Sequence, residues 1–96
     1  MKLRFLKRAM KQLELQYDWW EENVGSAQRL ETEVEHWLLQ LKAMPYIGAP
    51  VENARPGTRQ VVLKTQHLLY YRVNEKAGFV EVLRVWHSSR GRKPKL

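Results

Sequence analysis

The fold is decided by residues 67–86: His67-Leu68-Leu69-Tyr70-Tyr71-Arg72-Val73-Asn74-Glu75-Lys76-Ala77-Gly78-Phe79-Val80-Glu81-Val82-Leu83-Arg84-Val85-Trp86. Two runs rich in valine, leucine and aromatic residues flank the turn-forming stretch Asn74–Gly78. Such side chains suit a pleated, half-buried surface, and an intervening loop of three to five residues with glycine suits a hairpin. The reading predicts strands over His67–Asn74 and Phe79–Trp86. Working outward, Arg59–Lys64 is a third β-rich run. At the other end, Lys2-Leu3-Arg4-Phe5-Leu6 opens with polar–apolar alternation, a short strand signal.

Between these segments the period changes. Leu6, Met10, Leu13, Tyr17, Trp20 and Val24 recur at three- and four-residue steps, one apolar stripe on a helix. Asn23-Val24-Gly25-Ser26 interrupts it. Gly25 can adopt the left-handed conformation past a helix end, and Ser26 can cap the next helix. Ala27, Leu30, Val34, Trp37, Leu38 and Leu41 resume the helical spacing, which Pro45 ends at or before Met44. The result is an antiparallel helical hairpin over about residues 7–44. Residues 45–58 hold three of the four prolines and read as an ordered connection. The expected order is β-α-α-β-β-β. This is an α+β fold, with the hairpin packed on one face of a small, mostly antiparallel sheet. A single domain over 1–96 is expected, with the sheet drawn from 1–6 and about 59–87 and a basic tail over 88–96.

The 96 residues are 44% hydrophobic and 28% charged, a globular balance that excludes extended disorder. There is no cysteine, so disulfides, thiolate metal sites and cysteine nucleophiles are excluded. No apolar run is long enough to span a membrane, and the N-terminus has no signal-peptide core. The net charge of +7 is unevenly placed. Residues 1–11 carry five basic and no acidic side chains. Residues 12–35 carry seven acidic and one basic, and residues 36–96 carry eleven basic and three acidic. Such a dipolar distribution steers association with an acidic partner, or serves solubility alone.

The sheet has a second face. With Val73 paired to Phe79, one face carries Leu69, Tyr71, Val73, Phe79, Leu83 and Val85. The other carries Leu68, Tyr70, Arg72, Val80, Val82, Arg84 and Trp86. Two helices cover only one face, so the second is expected to be an apolar surface interleaved with arginines. Either a partner covers it, or the tail or the 45–58 connection folds over it. Trp19 lies off the helical stripe and is a further candidate for partner contact. Trp20 and Trp37 lie on stripes and are expected in the core.

Catalytic patterns are weak. His36, His67 and His87 are scattered, without metal-ligand spacing. Ser88 and Ser89 follow His87 but form no nucleophile elbow, and no phosphate-cradling glycine loop exists. Glu21 and Glu22 are adjacent on a helix and point apart. What remains is basic: Arg72, Arg84, His87, Arg90 and Arg92, expected to converge at one end of the last hairpin and tail. Arginines with a histidine and no carboxylate suit phosphate groups, or equally an acidic protein surface.

At this point the sequence resembles the RelE/ParE superfamily of toxins from bacterial type II toxin–antitoxin systems, over Leu3 to about Arg92. Four segments carry the resemblance. They are the opening strand leading to Ala9, Met44-Pro45-Tyr46-Ile47-Gly48, Leu69-Tyr70-Tyr71-Arg72-Val73, and Val82-Leu83-Arg84-Val85-Trp86-His87-Ser88-Ser89-Arg90. The last is similar to the superfamily's I-L-R-V-x-H-x-x-R ending.

The resemblance implies one of two activities. RelE-like members are ribosome-dependent messenger-RNA endoribonucleases; ParE-like members inhibit DNA gyrase and are not nucleases. The sequence leans to ParE. Leu68 stands three residues before Tyr71, where the ribonuclease branch commonly has arginine, and no tyrosine follows His87. The ParE-like reading expects no catalytic residue, and Arg72, Arg84, His87, Arg90 and Arg92 as target contacts. The RelE-like reading makes Arg84, His87 and Arg90 catalytic. A bare nucleic-acid-binding module is the third reading. The resemblance also implies a cognate antitoxin, expected on Trp19, Leu68, Tyr70, Val82 and Trp86. The implied partners are this antitoxin and gyrase, or the ribosome and messenger RNA in the alternative. No cofactor, metal, small-molecule substrate or membrane is expected, and the expected setting is the bacterial cytoplasm, with plasmid stabilisation as a role.

Overall fold

The computed structural model describes residues 1–89, 94 and 96. Strand β1 (Lys2–Phe5) leads into helix α1 (Lys7–Asn23) and then α2 (Gln28–Ala43). Strands β2 (Ala49–Pro50), β3 (Thr58–Val62), β4 (His67–Asn74) and β5 (Phe79–His87) follow. The sheet runs β1-β5-β4-β3-β2, with β1 parallel to β5 and every other pair antiparallel. No helix among the described residues is long and apolar enough to cross a membrane.

The helical hairpin closes as its chemistry dictates. Gly25 has φ +96°, the left-handed geometry a residue after a helix end requires. Ser26 Oγ accepts from the Gln28 N–H at 3.1 Å, and Glu21 Oε1 accepts from the Ala27 N–H at 3.0 Å. The buried face of α1 is rotated from the expected stripe. Ala9 and Leu13 are buried and Tyr17 and Trp20 pack against the core, whereas Met10 and Val24 are exposed. The cause is polar: Gln12 and Gln16 face the sheet and are held there by hydrogen bonds. Helix α2 buries Leu30, Val34 and Leu41, with Trp37 and Leu38 packed beside them.

The 45–58 connection is ordered, as its proline content implies, and contributes the two-residue strand β2 beyond the expected elements. Pro50 pairs with Arg59, and Ala49 with Gln60, at the sheet edge, where a proline without an N–H is tolerated. The turn before it is pinned from inside. Gly48 N donates to Tyr71 Oη at 2.8 Å, and Arg59 Nη1 donates to Gly48 O at 2.7 Å and to Tyr46 O at 3.1 Å.

The β4–β5 hairpin departs from the expected register. Val73 pairs with Val80 rather than Phe79, and Asn74 pairs with Phe79. A bulge then leaves Leu83 without a partner, so that Tyr71 faces Val82 while Tyr70 faces Arg84. One slip of register exchanges faces. Val80 and Val82 therefore lie in the core with Leu69, Tyr71 and Val85, not on the second face. Phe79 moves the opposite way, beside Arg4, whose guanidinium sits 4.6 Å from the Phe79 ring centroid. Leu83 is buried but stands outside the core cluster.

Candidate functional site

The bulge has a chemical consequence. An extra residue interrupts the ladder, and α1 repairs the gap: Gln12 Oε1 accepts from the Val85 N–H at 2.9 Å. One turn on, Gln16 Oε1 accepts from His67 Nε2 at 2.7 Å, and His67 Nδ1 lies 3.1 Å from Thr65 Oγ1. His67 is fully buried. Its ring is edge-on to His87, with centroids 4.8 Å apart. Burial first, then the charge of His87, pushes its pKa down to about 4, so a neutral imidazole occupies this position at neutral pH.

His87 ends β5, and its Nδ1 accepts from the Ser89 N–H at 3.1 Å and contacts Ser89 Oγ. With Gln16, Trp19 and Ser89 it lines a cleft of about 350 Å³. Trp19, half exposed on α1, thus shares a cleft with His87, a juxtaposition that sequence spacing did not indicate because α1 and the end of β5 are far apart in the chain. Adjacent glutamines at a helical period, Gln12 and Gln16, were the available signal.

Of the basic residues expected to converge, the three that are described, Arg72, Arg84 and His87, are spread along the hairpin. Arg72 lies opposite Glu81 near the hairpin turn. His87 is six residues further along β5, roughly 20 Å at strand spacing. It lies on the helix side with its cross-strand partner His67. Arg84 lies between them on the second face, opposite Tyr70. Its Nη1 donates to Leu83 O at 2.7 Å, and burial, then the nearby charge of Arg8, holds its pKa below the ordinary arginine value. Arg90 and Arg92 lie outside the described residues.

The second face is smaller than expected. Leu68 faces Trp86 across the hairpin, both half-buried, and Tyr70 and Gln60 occupy the centre. Residues 50–54 of the connection, with Pro94 and Leu96, enclose Gln60 and Tyr70 in a cleft of about 750 Å³. Tyr70 is consequently 1% exposed. Val82 is in the core, so no partner reaches it on the folded surface. At the far end Glu81 is occupied by Arg4 at 2.6 Å, the one ion pair among the described residues. No group of three metal-ligating side chains occurs among the described residues.

Against known proteins, the sequence profile described as "ParE toxin of type II toxin-antitoxin system, parDE" matches residues 3–92. No curated protein matches the chain. Solved structures share its fold. The chromosomal ParDE toxin–antitoxin system of P. aeruginosa contains a chain 21% identical, with TM-score 0.71 over 91% of this chain and 95% of that one. The isolated RelE toxin of E. coli is 24% identical, with TM-score 0.65 over 95% of this chain and 87% of that one. The YoeB/ParE toxin from Agrobacterium tumefaciens is 19% identical, with TM-score 0.69 over 91% and 98%.

Proposed function

Because the chain belongs to the ParE family of type II toxin–antitoxin toxins, we propose that it inhibits DNA gyrase in the bacterial cytoplasm, stabilises a plasmid by doing so, and is neutralised by a cognate antitoxin. The observation that carries this reading is the Leu68–Trp86 pair. An apolar cross-strand contact stands where the ribonuclease branch of the superfamily commonly places an arginine. Cutting RNA at its 2′-hydroxyl needs two proton-transfer groups on opposite sides of the scissile phosphate. His87 supplies one, and residues 88–96 contain no tyrosine. The carboxylate of Glu81 is engaged by Arg4. His67 is buried with both ring nitrogens hydrogen-bonded.

In this reading Arg72, Arg84, His87, Arg90 and Arg92 contact the target. Arg72 and His87 then touch separate points, as their separation along the hairpin requires. Trp19, Leu68, Tyr70 and Trp86 contact the antitoxin, which must displace residues 50–54 to reach Tyr70. The test is a supercoiling assay with purified toxin. Inhibition at stoichiometric toxin, relieved by antitoxin and accompanied by intact ribosome-bound messenger RNA, is the expected result. Codon-phased cuts in translated messages, with supercoiling untouched, would reassign the chain to ribonuclease activity with Arg84, His87 and Arg90 as catalytic residues.

A further inference from the structure

Strand β3 has one open position on its outer edge. Leu63 N donates to His67 O at 2.8 Å, so the odd-numbered residues of this stretch turn their backbone toward β4. Thr58, Gln60, Val62 and Lys64 turn theirs outward. Three of these four are covered. Thr58 O accepts from Val51 N at 3.0 Å, Gln60 pairs with Ala49 of β2, and the Lys64 N–H donates to the Glu33 carboxylate. Val62 falls between the end of β2 and Glu33. Neither its N–H nor its C=O has a partner among the described residues, and its side chain is 61% exposed. An open edge of this kind is a template for a further strand.

Helix α2 forms the opposite bank. Arg29, Glu33 and Trp37 recur at four-residue steps on one face of the helix, and with Val62 and Lys64 they line a groove of about 610 Å³. Trp37 packs against the core and meets His36 with ring centroids 5.8 Å apart. The charges here are unequal. Glu33 turns its carboxylate into the Lys64–Thr65 turn, where two backbone N–H groups donate to it. Glu31 and Glu35 fall on the far side of α2 by the helical period. Arg29 and Lys64 have no ion pair, since the one among the described residues joins Arg4 to Glu81.

These features select an occupant. An N–H and a C=O presented by one strand residue match an extended peptide, whereas a nucleic acid has no such repeat. The indole and the exposed valine suit an apolar side chain, and the two cations suit acidic ones. A second copy of this chain would bring the same two cations to the same groove, against like charge. We infer that the β3 edge at Val62 and its groove with α2 dock an extended, acidic peptide segment of a partner protein, which adds a short strand to the sheet. This surface lies apart from Arg84 and His87 and does not depend on the function proposed above.

The experiment adds a short end-blocked peptide of alternating glutamate and valine to the full chain. Two comparison peptides carry lysine for glutamate, or N-methyl groups along the backbone. Amide exchange at Val62 is expected to slow, and the Trp37 indole signal to shift saturably, with the acidic peptide alone. Val62→Pro removes the outward N–H without touching the ladder to β4 and is expected to weaken binding about tenfold. Arg29→Gln and Lys64→Gln are expected to weaken it and to reduce its salt dependence, with Lys76→Gln, at the hairpin turn, near the unmodified chain. These two exposed sites keep the test decisive if Val62→Pro fails to fold. Equal binding of the lysine or N-methylated peptide, unchanged exchange at Val62, or equal losses in Arg29→Gln, Lys64→Gln and Lys76→Gln would overturn the inference. Protection of Val62 that grows with protein concentration in the absence of peptide would overturn it in favour of a second copy. A chain that binds the acidic peptide as expected but leaves gyrase unaffected would retain the docking site and lose the proposed function.

Discussion

A methyl group placed on Gly48 would lie 2.6 Å from Tyr71 Oη and 2.8 Å from Gln60 O. The backbone oxygen cannot retreat without breaking the β2–β3 pairing, so Gly48→Ala is expected to cost about 1–3 kcal/mol. Tyr71→Phe removes the partner of the Gly48 N–H and is expected to cost about 1–3 kcal/mol. Urea midpoints at unchanged slope check both. His67 makes a pH prediction. Its folded pKa, about 4, lies below its ordinary value of 6.5. The unfolded chain therefore binds a proton that the folded chain refuses between those limits. Stability is expected to fall as pH drops through that window and to level off below it. The loss attributable to this residue is at most about 3 kcal/mol. Comparing His67→Gln with the unmodified chain from pH 7 to about 5 isolates it: the variant is expected to lose the slope contributed by this group.

At the scale of elements, the bulge and α1 form one unit. The extra residue at Leu83 shifts every side chain beyond it, and Gln12 satisfies the N–H that the shifted ladder leaves over. Gln12→Leu preserves volume but strands the Val85 N–H, so a loss of about 1–3 kcal/mol is expected. Hydrogen exchange at Val85 is expected to accelerate more than exchange at Leu69, which keeps its ladder partner. A similar repair joins α2 to the turn after β3. The Glu33 carboxylate accepts from the backbone N–H groups of Lys64 and Thr65. Although burial acts to raise its pKa, these bonds hold it below the ordinary carboxylate value. The stability they contribute is present at neutral pH and lost as pH falls through that lowered value.

Across the whole molecule, charge and covering decide what surface is left. The acidic stretch 12–35, with seven acidic and one basic side chain, sits within an otherwise basic chain, so association with a charged partner is expected to slow as salt is raised. Binding of the antitoxin proposed above is expected to slow exchange at Leu68 and Trp86, the half-buried apolar pair of the second face. Exchange at Val82 is expected to stay unchanged, because that residue is already in the core. Protection confined to the helical hairpin would move the proposed antitoxin surface to Trp19 and its neighbours.

The sequence by itself determined the order of the elements apart from the two-residue β2, the helical hairpin, the β4–β5 hairpin and the family, since each rests on local periodicity, turn chemistry or motif spacing. Strand β4 was legible to the residue because Asn74–Gly78 marks its end so strongly. Tertiary structure alone decided which valines face inward. Strand alternation has a period of two: a one-residue difference in register at the turn brings Val80 and Val82 inward, and the unpaired Leu83 returns Val85 to the same face, neither with a mark in the local composition. The rotation of α1 was hidden for a related reason. Gln12 and Gln16 count as polar in any periodicity, yet they are drawn inward by a stranded N–H and a buried imidazole that exist only once the sheet has formed. The candidate site followed the same division. Its residue types were readable in Arg84 and His87, but their separation from Arg72 and the cleft that His87 shares with Trp19 depend on strand register and helix placement. These are set by long-range hydrogen bonds and packing that no window of neighbouring residues contains.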